Sequence, residues 1–210
     1  MSRPAGELRR AILDEARKSL LERGYTALSM RKIASAVGCT ATSIYLYFDN
    51  KDALIHALID EGFEQLNQVL TQATEGLEAN QSAEARMRHL AYCYFRFGEE
   101  NPEYYEIMFM LHPTMMERYP AENYRRARRN LELFAEALTL GMPEGTARQI
   151  AAKSAATLLW TSLHGCMSLL IAQRIDVRLD RRSLVDEAVE HAVSLVTRFR
   201  QAETIGSDPS

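Results

Sequence analysis

Chain-turning residues are scarce in this sequence, with six prolines and ten glycines among 210 residues. That scarcity excludes a fold of many short strands joined by tight turns, and it leaves room for long helices. Cysteine is rarer still. Cys39, Cys93 and Cys166 are odd in number, far apart and without a CxxC pair. A disulfide framework and a zinc site of ordinary spacing are thereby excluded, and a reducing compartment fits. The opening stretch MSRPAGELRR lacks the apolar run of a secretory signal. No Gly-rich phosphate loop, paired-carboxylate spacing or nucleophile elbow occurs. These absences predict a cytoplasmic protein that is not an enzyme, with no catalytic residue, no metal and no cofactor.

What is present is ordinary for a soluble globular chain: 47% hydrophobic and 25% charged residues. The length suffices to bury a sizeable core without covalent staples. The net charge of −3 argues against a surface coated with nucleic acid throughout. The charge is uneven, however. Residues 1–60 carry nine Lys/Arg against seven Asp/Glu, a balance of +2, so the remainder carries −5. That sign is the one expected if the N-terminal end alone meets phosphate.

Hydrophobic periodicity predicts helices throughout and no strand. Leu8, Ile12, Ala16 and Leu20 recur every four residues in a first helix over 7–23, which Gly24 ends. Ser29 stands at the cap of a second helix over 30–37, with Met30, Ile33, Ala34 and Val37 inward, and Gly38 breaks the chain again. Thr40 caps a third helix through Phe48, with Ile44 and Phe48 in the core, and Asn50 caps a fourth beginning at Lys51. Short helices separated by a glycine turn are the anatomy of a helix-turn-helix. With Ile44 and Phe48 buried, the opposite face of the third helix shows Ala41, Thr42, Tyr45 and Leu46, and Thr40, Ser43 and Tyr47 lie at its edges. Tyr45 has two readings, a base-edge contact or packing beneath the helix.

The stretch GYTALSMRKIASAVGCTATSIYLYFDNKDAL resembles the signature of the tetracycline-repressor family of bacterial regulators. The matching positions are Gly24-Tyr25, Ser29, Ile33-Ala34, Gly38-Cys39-Thr40, Ile44-Tyr45, Phe48 and Lys51-Asp52-Ala53-Leu54. The resemblance implies phosphate contacts from Ser29, Thr40, Ser43, Tyr47 and Lys51, and base-edge contacts from Ala41, Thr42, Tyr45 and Leu46. Leu28 stands where the family often has threonine, and Thr42 where glycine is frequent.

Beyond Lys51 the pattern stays helical. The fourth helix is expected to reach Glu78, with Leu77 on its stripe, before a turn at Asn80-Gln81-Ser82. A fifth spans about 83–100, a sixth runs from Pro102 to Leu111, and His112-Pro113 interrupts. A seventh covers about 117–140 with a kink at Pro120, an eighth 145–173 and a ninth 183–201. The expected architecture is therefore all-α with about nine helices. A three-helix reading head over 1–52 precedes a larger helical effector-binding and dimerisation domain over 53–203 and a disordered tail over 204–210. Residues 154–173 carry no formal charge, which suits burial between neighbours and a partner subunit better than a bilayer, given their serines, threonines and His164. With the stripe Leu184, Ala188, Ala192, Leu195 and Phe199 of the ninth helix, they predict a homodimer through 145–173 and 183–201. A dimer also suits a pseudo-palindromic operator in double-stranded DNA.

Trp160, His164 and Gly165 resemble a Trp-His-Gly motif that names one branch of the same family. That resemblance implies an effector cavity. Its candidate wall is Tyr92, Phe95, Met108, Phe109, Met110, Met115 and Phe134, with Trp160 and His164 sharing one helix face. The uncharged wall suits a small apolar, aromatic or amphipathic effector, and Arg96 near Tyr92 suits an anionic one. Equally open is the reading that these aromatics are core, His164 a satisfied buried histidine, and the C-terminal bundle a dimerisation module that senses nothing. The run Tyr124-Arg-Arg-Ala-Arg-Arg129 reads as a solvated face paired with Glu122 and Glu132.

Overall fold

A computed structural model describes residues 4–75, 81–111, 116–121 and 123–205. Among them the fold is all-α, with nine helices, one π-helical turn and no strand. Two compact units divide the chain: Met1–Phe63 with Glu103–Asn123, and Glu64–Pro102 with Tyr124–Ser210. The first unit reaches Phe63 and includes a segment some forty residues further on. The tail at 206–210, the helical extension to Leu77 and Glu78, the turn residue Asn80, the His112-Pro113 break, Met115 and Glu122 lie outside the described residues.

In the first unit, α1 (Ala5–Ala27) buries Ile12, Leu13, Ala16 and Leu20, the predicted stripe. Gly24 interrupts it at φ 74, a backbone conformation that costs glycine nothing and most residues strain. Next comes α2 (Met30–Val37), ended by Gly38 at φ 78. The amide of Cys39 donates to the Ala34 carbonyl at 2.9 Å, the six-to-one bond of a Schellman cap. A third, α3 (Ala41–Tyr45), is shorter than predicted, and the amides of Tyr47 and Phe48 share the Ile44 carbonyl as the chain leaves it. Asn50 then starts α4 (Lys51–Glu75), its Oδ1 accepting the Ala53 amide at 2.7 Å.

The recruited segment holds α6 (Pro102–Tyr105), most of it in this unit, and the π-helical turn Glu106–Met110. Gly62 on α4 admits this turn. A Cβ there would fall onto Met108 Sδ and lie 2.7 Å from its Cγ. Phe63 meets Phe109 edge-on at 5.5 Å. Residues 117–121 and 123 are not helical, where a helix was expected, and α4 accepts one backbone amide and two side-chain donors from them. Asp52 accepts the Glu117 amide at 3.0 Å, and Asp60 accepts from the Tyr119 hydroxyl at 2.6 Å and Asn123 Nδ2 at 3.0 Å. Pro120 disfavours helical geometry at the residue before it.

The second unit packs α5 (Ala83–Glu100), α7 (Tyr124–Thr139), α8 (Thr146–Ile171) and α9 (Arg181–Ile205) against one another. Tyr94, Phe95, Phe97 and Phe134 are its largest fully buried side chains. Each such ring contributes roughly 2–3 kcal/mol through removal from water. Arg200 donates to the Leu138 and Leu140 carbonyls, closing the free end of α7. Asp180 caps α9, accepting the Ser183 amide at 2.8 Å.

Candidate nucleic-acid interface

Thr40, Gly38 and Ile44 position the reading surface. The Gly38 turn reverses the chain, the Thr40 hydroxyl accepts the Ser43 amide at 3.1 Å, and Ile44 is 0% exposed beneath α3. Anchored on one side by Ile44 and Phe48, α3 offers the other side to solvent. Thr42 is exposed, Tyr45 is 50% exposed and Leu46 81% exposed. Tyr45 therefore does not pack beneath the helix. Ala41, Ser43 and Tyr47 are half-buried at the margins. A hydroxyl, a phenol and an aliphatic tip on one uncharged face are chemically suited to base edges and thymine methyls in a major groove.

The hydroxylated flank is less uniform than the sequence suggests. Thr40 Oγ1 and Ser43 Oγ are 2.8 Å apart and share a hydrogen bond at the start of α3. Ser29 occupies the cap position of α2, yet its hydroxyl makes no cap bond, so the capping role assigned to it is carried by backbone alone. Leu28 is buried, so the position often held by threonine in the family packs inward here. Lys51 is half-buried. Its Nζ donates to the Tyr25 carbonyl at 3.3 Å and sits 3.7 Å from the Tyr25 ring centroid. The Tyr25 hydroxyl donates to Asp52 at 2.7 Å, and desolvation with that hydrogen bond pushes its pKa up to about 12. Lys51, Tyr25 and Asp52 thus join the end of α1 to the start of α4.

Two cations escaped the sequence reading. Arg31 and Lys32 are exposed on α2 and have no ion-pair partner among the described residues. Their signal was the polar pair between the inward Met30 and Ile33.

The effector candidates scatter. Trp160 and His164 stack on one face of α8, with centroids 4.6 Å apart and planes at 15°. His164 Nδ1 lies 3.1 Å from the Tyr94 hydroxyl and Nε2 3.5 Å from Ser168 Oγ. Burial holds this imidazole below the usual histidine value, which makes it neutral at pH 7. Phe95 and Phe134 are fully buried core. Tyr92 and Arg96 lie on the exposed side of α5, where Tyr92 donates to Asp186 at 2.8 Å and Arg96 approaches Cys93 Sγ at 3.7 Å. Met108 and Phe109 belong to the other compact unit. Tyr94, fully buried with a polar hydroxyl, is the member the sequence reading missed. An open groove of about 590 Å³ also lies between the end of α5 and the start of α9, lined by Tyr92, Glu99, Arg181 and Asp186 among others.

The buried stripe of α8 is Ala152, Ala156, Leu159, Leu163, Met167 and Leu170. Its other face is exposed and uncharged from Ser154 onward, including Thr157, Leu158, Thr161, Ser162, Gly165 and Leu169. Burial between neighbours, expected from the sequence, holds within this chain for one stripe only. By length and composition α8 is the one helix among the described residues apolar enough to cross a membrane.

Two family profiles match the chain: "Bacterial regulatory proteins, tetR family" over residues 12–58, and "Tetracyclin repressor-like, C-terminal domain" over 87–192. The second description does not single out a Trp-His-Gly branch. An HTH-type transcriptional repressor of Mycobacterium tuberculosis is 39% identical over 69 residues, 33% of this chain and 36% of the relative, so the match spans about a third of that protein's length. Among solved structures, regulatory protein SCO4313 aligns with a TM-score of 0.77 and 22% identity over 90% of this chain and 97% of its own. FadR of Bacillus subtilis in complex with stearoyl-CoA aligns at TM-score 0.66 and 18% identity, over 88% and 97%. AibR in complex with isovaleryl coenzyme A and operator DNA aligns at 0.61 and 20%, over 87% and 96%.

Proposed function

The chain belongs to the tetR family of bacterial regulatory proteins, and from that premise we propose that it is a homodimeric, effector-released repressor of transcription. The observation that carries this reading is the exposed face Thr42, Tyr45 and Leu46 on a capped helix set by the Gly38 turn. In each protomer α3 enters the major groove. Ser29, Thr40, Ser43, Tyr47 and Lys51 contact phosphates, while Ala41, Thr42, Tyr45 and Leu46 face bases. The working place is the cytoplasm, and the function is not enzymatic.

Dimerisation through α8 and α9 is supported by the uncharged exposed face of α8, where Leu158 is 67% and Leu169 45% exposed in the single chain. Gly165 lies open on that face, with nothing within 4 Å of where a Cβ would stand, which suits close approach of a second helix. For the effector, Tyr94, Trp160, His164 and Ser168 form the polar-tipped aromatic cluster around which we place the site. Acyl thioesters of coenzyme A are the first class to test, since two proteins of this fold are described with such ligands. Effector must favour the DNA-incompetent state, because equal affinity for both states shifts nothing. The signal passes along α4, whose residues Lys51–Phe63 belong to the first unit and Glu64–Glu75 to the second.

Selection of bound fragments from random duplex DNA should return a pseudo-palindrome, and an acyl-CoA titration should release it. Recovery of no preferred sequence would refute operator reading. A narrower function, a bundle that dimerises and senses nothing, is favoured by the full burial of Phe95 and Phe134. A thermal-shift screen in which no apolar or amphipathic compound stabilises the protein would establish it in place of the effector reading.

A further inference from the structure

The tract at the start of α7 is the charged feature that operator reading does not use. Arg125, Arg128 and Arg129 are exposed, and no ion pair joins them to Glu132, one of the two partners expected from the sequence; the other, Glu122, lies outside the described residues. Spacings of three and four residues put the three guanidinium stems on one helix face, together with Tyr124, which is 43% exposed. This placement is unfavourable for the helix by itself. Like charges at these spacings repel, and the N-terminal end carries the positive pole of the backbone dipole. The first turn holds no acidic residue to offset it. The cluster also stands in the part of the chain whose net charge is −5.

A bound anion removes both penalties. Its size follows from the borders of the patch. Arg125 to Arg129 spans a rise of about 6 Å, enough for two neighbouring phosphates. Next on the same face are the exposed carboxylates Glu132 and Glu136, which repel an extended polyanion such as duplex DNA or an anionic membrane. Guanidinium forks match phosphate oxygens in pairs, and an exposed aromatic at the end of the patch offers a stacking surface for a base. We propose that Tyr124, Arg125, Arg128 and Arg129 form a binding site for the diphosphate of a nucleotide-type ligand. Two sources share that chemistry, a free nucleoside diphosphate and the nucleotide end of a coenzyme A thioester. The second rests on the effector reading above.

The test is calorimetry of the full-length protein with ADP, coenzyme A and isovaleryl coenzyme A at low salt. Arg128→Ala should weaken ADP and coenzyme A binding roughly tenfold, given one charge-assisted hydrogen bond lost. The triple variant R125A/R128A/R129A should lose both ligands while operator affinity stays as in wild type. Because the three side chains are exposed, the variant is expected to fold; a melting temperature equal to or above wild type, with repulsion relieved, checks this. Equal affinity for all three compounds identifies a free nucleotide. Tighter binding of the acylated form, with Trp160→Ala removing only that gain, identifies the coenzyme A thioester. An unchanged triple variant overturns the proposal, as does absence of ADP binding at millimolar concentration. Random duplex DNA bound more weakly by the triple variant, with no nucleotide bound by wild type, overturns it in favour of a nucleic-acid patch.

Discussion

Lys51 is the residue whose two roles the structure allows to be separated. Its ammonium has three donors, one directed at the Tyr25 carbonyl at 3.3 Å, with the ring face 3.7 Å away. The remaining donors are available to a phosphate. In Lys51→Ala the carbonyl and the ring lose their cation. A cation–π contact at a partly exposed site contributes about 0.5–1 kcal/mol. A charged hydrogen bond to a carbonyl adds roughly 1 kcal/mol at the solvent-screened end of its range. The sum of about 1–2 kcal/mol should lower the melting temperature by roughly 2–8 °C for a chain of this size. On operator DNA the same variant should reduce the slope of log affinity against log salt by about 0.9 per reading head, or about 1.8 per dimer. Calorimetric melting measures the first effect, and fluorescence anisotropy on the selected operator between 50 and 200 mM salt, an interval on the order of that used to resolve such slopes, measures the second. A lowered melting temperature with an unchanged slope would refute the phosphate assignment and leave Lys51 as a strut between α1 and α4. An unchanged melting temperature would refute the structural energetics instead.

Four further outcomes are expected. Ile44→Ala, at a fully buried position, should cost about 2–5 kcal/mol and abolish operator binding, read by denaturant melts and gel shift. Leu158→Glu, exposed in the single chain, should leave helicity by circular dichroism intact while sedimentation shows monomers; a persistent dimer would place the interface elsewhere. Asp60→Ala removes the acceptor of Tyr119 and Asn123 and should destabilise by roughly 2–4 kcal/mol, with Asp60→Asn intermediate, in urea titrations. His164 is held neutral by burial, so the unfolded chain binds the proton more readily. Its contribution to stability is therefore complete above its unfolded pKa of about 6.5 and is lost as pH falls below it. His164→Gln should flatten that part of the stability-against-pH curve, and an unaltered curve would contradict the assignment.

The sequence alone determined the reading head. Local signals suffice there: Gly38 for a left-handed turn, Thr40 and Asn50 for caps, Ile44 and Phe48 four residues apart for one buried side. Helix type followed from periodicity for the same reason, since a 3.6-residue repeat is written in consecutive residues. Tertiary contacts decided the rest. Asp52 and Asp60 of α4 accept hydrogen bonds from Glu117, Tyr119 and Asn123, more than fifty residues later, where the sequence pattern had a helix. The compact unit containing the reading head includes 103–123, where the Met108 side chain packs against Gly62. Which side of α5 faces inward separated Phe95 from Tyr92 and Arg96, and the fold brought Tyr94 to His164 across seventy residues. A pattern along one helix fixes which residues share a face; only the neighbour packed against it decides which face is buried and which charge finds a partner.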